Sequence, residues 1–312
     1  MLTLRALWAF TRERFPLSSH LPMVGVFALA NVAAVIDLQR PASLAAGRFA
    51  AAATLALSYF FRLRCLDELK DEAFDRRQNP QRPLPRGLVS RRLLELSVLA
   101  ALVLELVLAL GLFGTAGALL VAVAQAFSLL MYREFFVGSW LRLHLTTYAV
   151  THTLSAALLG AAVALLYARI DPRLLAPALW ALPLFNWWVF NLFEFARKTW
   201  ASEEEHPGVD SYSRRFGIGG AVLLAWSQIA GALLFAGLHP HAFERPWSLP
   251  VHAIGVLLPL AGGLALVWRR SAGAAAIYRR LVSVYLIVFY AALAAEHLAG
   301  ALPRLAAAPV LG

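Results

Sequence analysis

Acidic side chains cluster where a long apolar segment of the 312-residue chain ends. Asp67, Asp71 and Asp75 follow one another at intervals of four residues, with Glu68 and the cation Arg64 in the same stretch. If the stretch is helical, successive residues rotate by about 100°, so the carboxylates share one face beside Arg64. Such like charges repel unless a cation lies among them, and Mg²⁺ prefers a few carboxylate oxygens plus substrate phosphates. The spacing therefore predicts a magnesium-held diphosphate, with Arg64 as a candidate contact to it.

The loop after the acids, residues 79–87, supports this interpretation. It reads Asn-Pro-Gln-Arg-Pro-Leu-Pro-Arg-Gly, a rigid connection whose arginines, Arg82 among them, are suited to phosphate. The alternative is a solvated helix end on which Lys70, Arg76 and Arg77 balance the acids through i, i+3 and i+4 pairs. That explanation is the commoner one for charge runs, but it does not require a basic, proline-punctuated loop.

The elements that must position these residues are membrane helices. Hydrophobic residues make up 60% of the chain and charged residues 15%, whereas soluble domains carry about 25% charged residues. Apolar runs of about 20 residues, which cross roughly 30 Å of hydrocarbon, recur along the whole sequence. They predict an all-α integral membrane protein with nine spans, at 17–38, 43–66, 93–111, 116–132, 146–168, 174–196, 217–238, 249–268 and 279–300.

Basic residues indicate how the spans are oriented. Arg and Lys concentrate on every second connection, as the positive-inside rule requires of cytoplasmic loops. Those on the other side are Arg40, Arg48, Arg169, Arg173, Arg245 and Arg304. The N-terminus and the acidic cluster are thus predicted to be cytoplasmic, in a bacterial inner membrane. The net charge of +10 is expected to attract anionic lipids and an anionic substrate rather than nucleic acid.

Two polar connections, 67–92 and 194–216, are longer than the others and carry both signs of charge. Function is expected there, because binding residues concentrate on loops that a rigid scaffold holds. The connections follow the second and sixth spans, so the chain divides into two similar four-helix halves and a ninth helix. No low-complexity linker interrupts the spans, which predicts one domain over 1–312.

The acids and the loop together resemble the UbiA family of intramembrane prenyltransferases. In that family the second helix leads into N-D-x-x-D-x-x-x-D and then into N-x-P-x-R-P-I-P-S-G. The acidic positions correspond to Asp67, Glu68, Asp71 and Asp75, and the loop is matched by Asn79, Pro80, Arg82, Pro83, Pro85 and Gly87. Two positions depart from the pattern, because Asp67 replaces Asn and Glu68 replaces Asp.

The resemblance implies a second motif in the connection 194–216, with an Asp pair before G-x-x-T-L-x-x-R-x-G. The tail of this motif is present between Gly208 and Gly217, with Ser211 in place of Thr and Tyr212 in place of Leu. Tyr212 is therefore a candidate substrate contact. The Asp-x-x-x-Asp pair itself is missing from the sequence.

Two alignments of this connection with the second acidic motif are possible. In the first, Glu194 binds metal while Arg197 and Lys198 contact phosphate; in the second, Glu204 takes the place of the second acid. The i, i+3 and i+4 spacing favours the first alignment, because it presents the three side chains together at a helix end. An exposed Glu194–Lys198 surface pair, worth a few tenths of a kcal/mol, is the remaining alternative for Lys198.

A third cytoplasmic connection, 132–144, mixes aromatic residues with cations. The family carries a basic residue in this region that helps to hold diphosphate, which implies that role for Arg133 or Arg142. Anchoring of aromatic side chains at the membrane interface explains the composition equally well. Polar residues inside the spans are candidates for an acceptor pocket or for interhelical hydrogen bonds: Asn31, Glu105, His152, Asn186, Asn191 and Glu296. No histidine pair has metal-ligand spacing, so no zinc site is predicted.

The resemblance also implies what the site does. In the family, two Mg²⁺ ions bridge the acidic motifs and the diphosphate, and the prenyl group passes to an acceptor that is usually an electron-rich aromatic ring. Asp71, Asp75 and Glu194 are then the candidate catalytic residues, and the metal ligands are Asp67, Glu68, Asp71, Asp75 and Glu194. The partners are a polyprenyl diphosphate, a hydrophobic or aromatic acceptor and membrane lipids, and no oligomeric state is indicated.

Two other functions compete with prenyl transfer. One branch of the family transfers a phosphoribosyl group from phosphoribosyl pyrophosphate to a polyprenyl phosphate, a reaction that suits the same acids. From another class, a transporter or a non-catalytic lipid-binding protein would favour paired broken helices and charges at the membrane midplane. The acids at the predicted cytoplasmic rim favour an enzyme.

Overall fold

The computed structural model describes residues 2–38, 46–168, 181–206, 208–239 and 241–307, and these residues contain helices and loops without a strand. Two short 3₁₀ turns lie at Glu134–Phe136 and Ser202–Glu204. The helices are α1 (Leu2–Arg14), α2 (Leu17–Leu38), α3 (Ala46–Gln78), α4 (Arg91–Tyr132), α5 (Gly138–Leu141), α6 (Leu145–Ala168), α7 (Ala181–Arg197), α8 (Tyr212–Gly237), α9 (Ser248–Arg269) and α10 (Ala272–Ala307).

Eight helical segments within the described ranges are long and apolar enough to cross a membrane. They correspond to eight of the nine predicted spans, because α4 supplies two, Arg91–Gly111 and Phe113–Tyr132. The ninth, 174–196, lies partly outside the described residues, and α7 is its described part. The all-α membrane architecture is therefore confirmed. Four arginines predicted on the non-cytoplasmic side are outside the described residues or side chains: Arg40, Arg169, Arg173 and Arg304.

α4 is a hairpin of two limbs, and its turn lies at Gly114. This glycine has φ 72° and ψ −165°, a conformation that residues with a Cβ rarely adopt. Gln125 Nε2 donates hydrogen bonds to the Leu102 carbonyl and to the Glu105 carboxylate, both at 3.0 Å. These contacts show that the second limb folds back along the first. The two limbs correspond to the two separate predicted spans, 93–111 and 116–132.

The described helices form a closed ring. Helices that follow one another in sequence pack side by side from α2 to α10, and α10 closes the ring against α2. Small residues permit close approach, as at Gly231 of α8, where a Cβ atom would collide with the Trp188 ring of α7. Such glycines are typical of helix packing in membranes, where van der Waals contact replaces the hydrophobic effect.

Large apolar side chains cover the outward face of the ring. Leu99 and Val107 of α4, Leu223 of α8, and Ile254 and Leu264 of α9 are all exposed. Apolar patches of this extent mark a membrane or partner surface, and a bundle of helices satisfies its own backbone in lipid. The protein is therefore an integral membrane protein.

Amides inside the ring form hydrogen bonds between helices. Asn186 of α7 donates to Asn31 of α2 at 2.7 Å and accepts from the Tyr290 hydroxyl of α10 at 2.9 Å. Asn191 accepts a hydrogen bond from Thr153 of α6. These three asparagines therefore have the interhelical role that was one of the two alternatives from sequence.

A buried ion pair joins α3 to the first limb of α4. Arg62 donates from Nε and Nη2 to the Glu105 carboxylate at 3.0 Å, and the two side chains are both 0% exposed. Arg62 Nη1 also donates to the Ser128 hydroxyl at 2.6 Å. Since Gln125 also binds Glu105, the charged groups are well satisfied within the apolar bundle.

Candidate functional site

α3 continues as one helix to Gln78, so it carries the acidic run beyond the apolar part of the bundle. The predicted helical face is thereby confirmed, but its carboxylates have two kinds of surroundings. Glu68 and Asp75 are buried, whereas the Asp67 side chain is 49% exposed and Asp71 is partly exposed. Buried and accessible acids alternate along the helix. Only the accessible acids, Asp67 and Asp71, can reach a ligand from solvent without rearrangement.

Arginines hold the two buried acids. Glu68 accepts a hydrogen bond from Arg14 Nε of α1 at 2.5 Å and lies 3.7 Å from Arg64. Asp75 accepts from Arg82 Nη1 at 2.5 Å and from Asn79 Nδ2 at 2.9 Å. Such charge-assisted hydrogen bonds are the strong ones, so these acids fix the positions of arginines in this structure.

The two accessible acids are nearly unengaged. Asp67 has one long ion pair, with Arg64 at 3.8 Å. Within the described ranges Asp71 takes part in no hydrogen bond or ion pair, although Lys70 and Arg82 act on it electrostatically. Asp67 and Asp71 lie one helical turn apart and retain free carboxylate oxygens. Mg²⁺ in proteins is held by one or two carboxylates plus substrate phosphates, so this donor set fits one magnesium ion.

The loop after α3 folds back onto the helix end. The Asn79 and Arg82 amides donate to the Asp75 and Asn79 carbonyls, at 2.8 and 3.0 Å. Gly87 has φ 78°, which a residue with a Cβ would adopt only with strain. Ser90 then caps α4 by accepting a hydrogen bond from the Leu93 amide. The loop thus presents Arg82 to the acidic face, as the sequence predicts.

The end of α7 brings cations to the acids of α3. Glu194 pairs with Arg197 at 2.5 Å and with Lys198 at 3.3 Å, in the i, i+3 and i+4 arrangement predicted from sequence. Arg197 also interacts electrostatically with Asp67, and Lys70 of α3 and Lys198 both lie over the Tyr148 ring of α6, so the ends of α3 and α7 face each other across that ring. The two polar connections therefore come together at one end of the bundle.

Tyr212 packs against the end of α7 that carries Glu194, Arg197 and Lys198. Its side chain is buried against Phe195, with ring centroids 4.9 Å apart. Its backbone amide donates to the Lys198 carbonyl at 3.0 Å, and Ser211 caps α8 by accepting from the Arg214 amide. The tail of the second motif thus anchors the chain that carries Lys198, and burial keeps the Tyr212 side chain away from solvent.

Glu204, the alternative second acid, is engaged elsewhere. It accepts hydrogen bonds from Arg279 of α10 at 2.6 and 3.0 Å and from the Ala201 amide at 3.1 Å. Burial alone would raise the pKa of Glu204, but these hydrogen bonds outweigh it and lower the pKa. Glu204 is thus paired with α10, whereas Glu194 pairs with the cations at the end of α7.

The two candidate cations of the third connection have different surroundings. Arg142 donates to Glu134 at 2.9 Å, and this hydrogen bond raises the pKa of Arg142. Glu134 lies 3.9 Å from Lys70, and Arg142 interacts electrostatically with Asp71. Arg133 is exposed over the Phe136 ring at 5.9 Å and has no ion pair with a described acid, as expected of an interfacial anchor.

Sequence reasoning did not assign four nearby residues to the candidate site, although it considered Lys70 as a counter-ion of the acids and His152 for an acceptor pocket. Lys70 donates to the Tyr148 hydroxyl at 2.7 Å, and Lys198 lies 6.0 Å from the centre of the same ring. His152 stacks on Tyr148 at 4.0 Å and has a buried Nε2 atom without a hydrogen-bond partner in the described structure. Arg14 is the fourth. A Tyr and a His four residues apart at the start of α6 were the available signal.

The chain matches no protein-family model and no curated protein sequence. It is similar to two solved structures, each at 16% identity. A structure of digeranylgeranylglyceryl phosphate synthase aligns over 91% of this chain and 99% of its own, with a TM-score of 0.58. The apo structure of a UbiA homolog from Aeropyrum pernix K1 aligns over 85% and 94%, with a TM-score of 0.63. The chain has a UbiA-like fold. The UbiA-like bundle therefore accounts for nearly the whole chain.

Proposed function

We propose that the protein is an intramembrane prenyltransferase. It binds a polyprenyl diphosphate through Mg²⁺ and passes the prenyl group to a hydrophobic or aromatic acceptor. The observation that carries this proposal is the meeting of the free acids Asp67 and Asp71 with the cations of α7, at one end of a UbiA-like bundle. Acids beside cations suit a diphosphate with its metal better than either group would alone.

The proposed roles follow from the contacts of each side chain. Asp67 and Asp71 hold Mg²⁺, which when bound neutralises the diphosphate as the carbon–oxygen bond breaks. Arg82, Arg197 and Lys198 donate hydrogen bonds to the diphosphate oxygens. Glu68 and Asp75 keep Arg14 and Arg82 in place, and either acid would have to give up its arginine to serve as a metal ligand.

Glu194 has two successive roles in this proposal. In the structure its carboxylate is occupied by both cations of α7 and positions them. A bound diphosphate would attract Arg197 and Lys198, and the Glu194 carboxylate would then be available as a further ligand for the metal. Glu194 thereby links substrate binding to completion of the metal site.

Aromatic side chains fill the interior of the ring near the acids, and we propose that the prenyl chain lies against them. Below the acids, Phe60 of α3 and Phe190 of α7 stack at 5.6 Å, with Phe27 of α2 packed edge-on against both. During transfer the bond between the prenyl carbon and the diphosphate oxygen breaks, and its electron pair leaves with the diphosphate. A new bond forms to the acceptor, which loses a proton. Aromatic walls exclude the water that would otherwise capture the prenyl group.

The proposal is tested by binding of a nonhydrolysable farnesyl or longer prenyl thiodiphosphate to the purified protein. We expect binding in Mg²⁺ that is lost in EDTA, because the metal joins two anionic groups. Phosphoribosyl pyrophosphate is the competitor. If it binds in the presence of Mg²⁺ and the thiodiphosphate does not, the protein is a phosphoribosyltransferase; if neither binds under any condition, the diphosphate site itself is wrong.

Lys198→Met is expected to weaken thiodiphosphate binding about tenfold or more, because a charge-assisted hydrogen bond to phosphate is lost. Arg133→Met is the matched control, since it removes one positive charge from an exposed site outside the cluster. Calorimetric titration of both variants in Mg²⁺ measures the difference. An equal loss in the two would show that overall charge, rather than Lys198, attracts the ligand.

A further inference from the structure

Three buried side chains meet at the end of the bundle opposite the acids. Asp37 ends the first span on α2, His239 follows α8, and His297 lies on α10. Each offers one ligand atom, and the three atoms lie within 4.8 Å of one another. Two imidazoles and a carboxylate are the donors that Zn²⁺ uses in sites with an open position.

The distances agree with coordination of one ion. Asp37 Oδ2 and His297 Nδ1 lie 3.1 Å apart. Two ligand atoms on a tetrahedral zinc ion are separated by about 3.3 Å, given bonds of about 2.0–2.1 Å. The His239 and His297 rings have centroids 4.1 Å apart, so a small shift brings both onto a common ion.

A further contact orients His239 as a ligand. Its Nε2 atom lies 3.0 Å from the Ala34 carbonyl, to which it donates. Metal-ligating histidines make this contact, because a hydrogen bond from the distal nitrogen fixes the tautomer and leaves the other nitrogen to the metal. The Nδ1 atom has a long contact, 3.4 Å, with the His241 amide. Gly300 leaves room for the carboxylate, since a Cβ there would lie 2.6 Å from Asp37 Oδ1.

We propose that Asp37, His239 and His297 bind a divalent ion of the zinc class, with water in the fourth position. The ion ties α2, the end of α8 and α10 together where the ring closes. It also balances ionisable groups that apolar surroundings would otherwise disfavour. The sequence predicted no zinc site because three distant segments supply the proposed ligands, and no local spacing shows them.

The test is Co²⁺ titration of protein purified through a tag without histidine and stripped with a chelator. We expect one equivalent to give the visible absorption of tetrahedral Co²⁺, and Zn²⁺ to abolish that absorption. His239→Gln and His297→Gln should lose it. His144→Gln, which alters an exposed histidine at the other end of the bundle, should keep it.

Two outcomes overturn the proposal. One is wild-type protein that shows no Co²⁺ absorption, which leaves a buried Asp37–His297 pair with His239 as a cap of α2. The other is absorption that persists in His297→Gln. If the variants do not fold, the wild-type protein still decides, because Zn²⁺ should raise its Tm by a few degrees. The site is independent of prenyl transfer, so Asp71→Asn should keep its Co²⁺ absorption.

Discussion

Asp71→Asn is expected to reduce Mg²⁺-dependent prenyl transfer by about 10²-fold or more. The substitution preserves side-chain shape but removes the charge that holds the metal against the diphosphate, and loss of one electrostatic contact to the transition state has effects of this size. Because Asp71 has no ion pair within the described residues, folding should be little affected. Diphosphate release from a prenyl donor and thermal unfolding measure the two effects separately.

Glu95→Gln is the matched control for Asp71→Asn. Glu95 is exposed on α4 and pairs with Arg91, outside the acidic cluster. Its loss should leave turnover within about twofold, as is usual for a surface change. Full turnover with unchanged Mg²⁺ dependence in Asp71→Asn would exclude this carboxylate as a ligand and redirect the search to Asp67.

Arg62→Met is expected to destabilise the protein by about 3–5 kcal/mol, because it leaves Glu105 as an unpaired charge in the apolar bundle. The pair is 0% exposed on both sides. Ser128 also loses its guanidinium partner. Thermal unfolding in one detergent, followed by circular dichroism, measures the change as a lower Tm.

The double variant Arg62→Met with Glu105→Met provides the control. A buried ion pair replaced by apolar residues of similar volume is often neutral or stabilising, so the double variant should regain most of the lost Tm. A single variant as stable as the wild type would show that the pair does not hold α3 to α4. A double variant less stable than the single one would show that Gln125 and Ser128 depend on the pair.

The fold was largely predictable because lipid imposes a simple rule. A span must be apolar over about 20 residues and must satisfy its backbone internally, so hydropathy alone located eight spans confirmed by the structure. The turn of α4 was predictable for a related reason. Apolar character weakens around Gly114, and glycine there permits the backbone conformation that ends one limb and begins the next.

The site was predictable only where its residues follow one another in sequence. Helical spacing placed Asp67 and Asp71 on one face, and the same rule brought Lys198 to Glu194. The pairing of Glu68 with Arg14 joins residues of different helices. Such partners depend on how helices pack, which leaves no periodic signal. Sequence spacing therefore counted Glu68 and Asp75 as free ligands, whereas arginines hold both in the structure.

The buried pair of Arg62 and Glu105 also constrains how the chain enters the membrane. An ionised side chain disfavours insertion of a lone helix, and the cost is largest at the centre of the helix. α3 leaves the ribosome first, followed by the first limb of α4, and each carries one charge of the pair. Inserted as a hairpin, the two segments neutralise each other. Because the two segments are adjacent in the chain, they can insert together, and neither charge is then exposed to lipid without its partner.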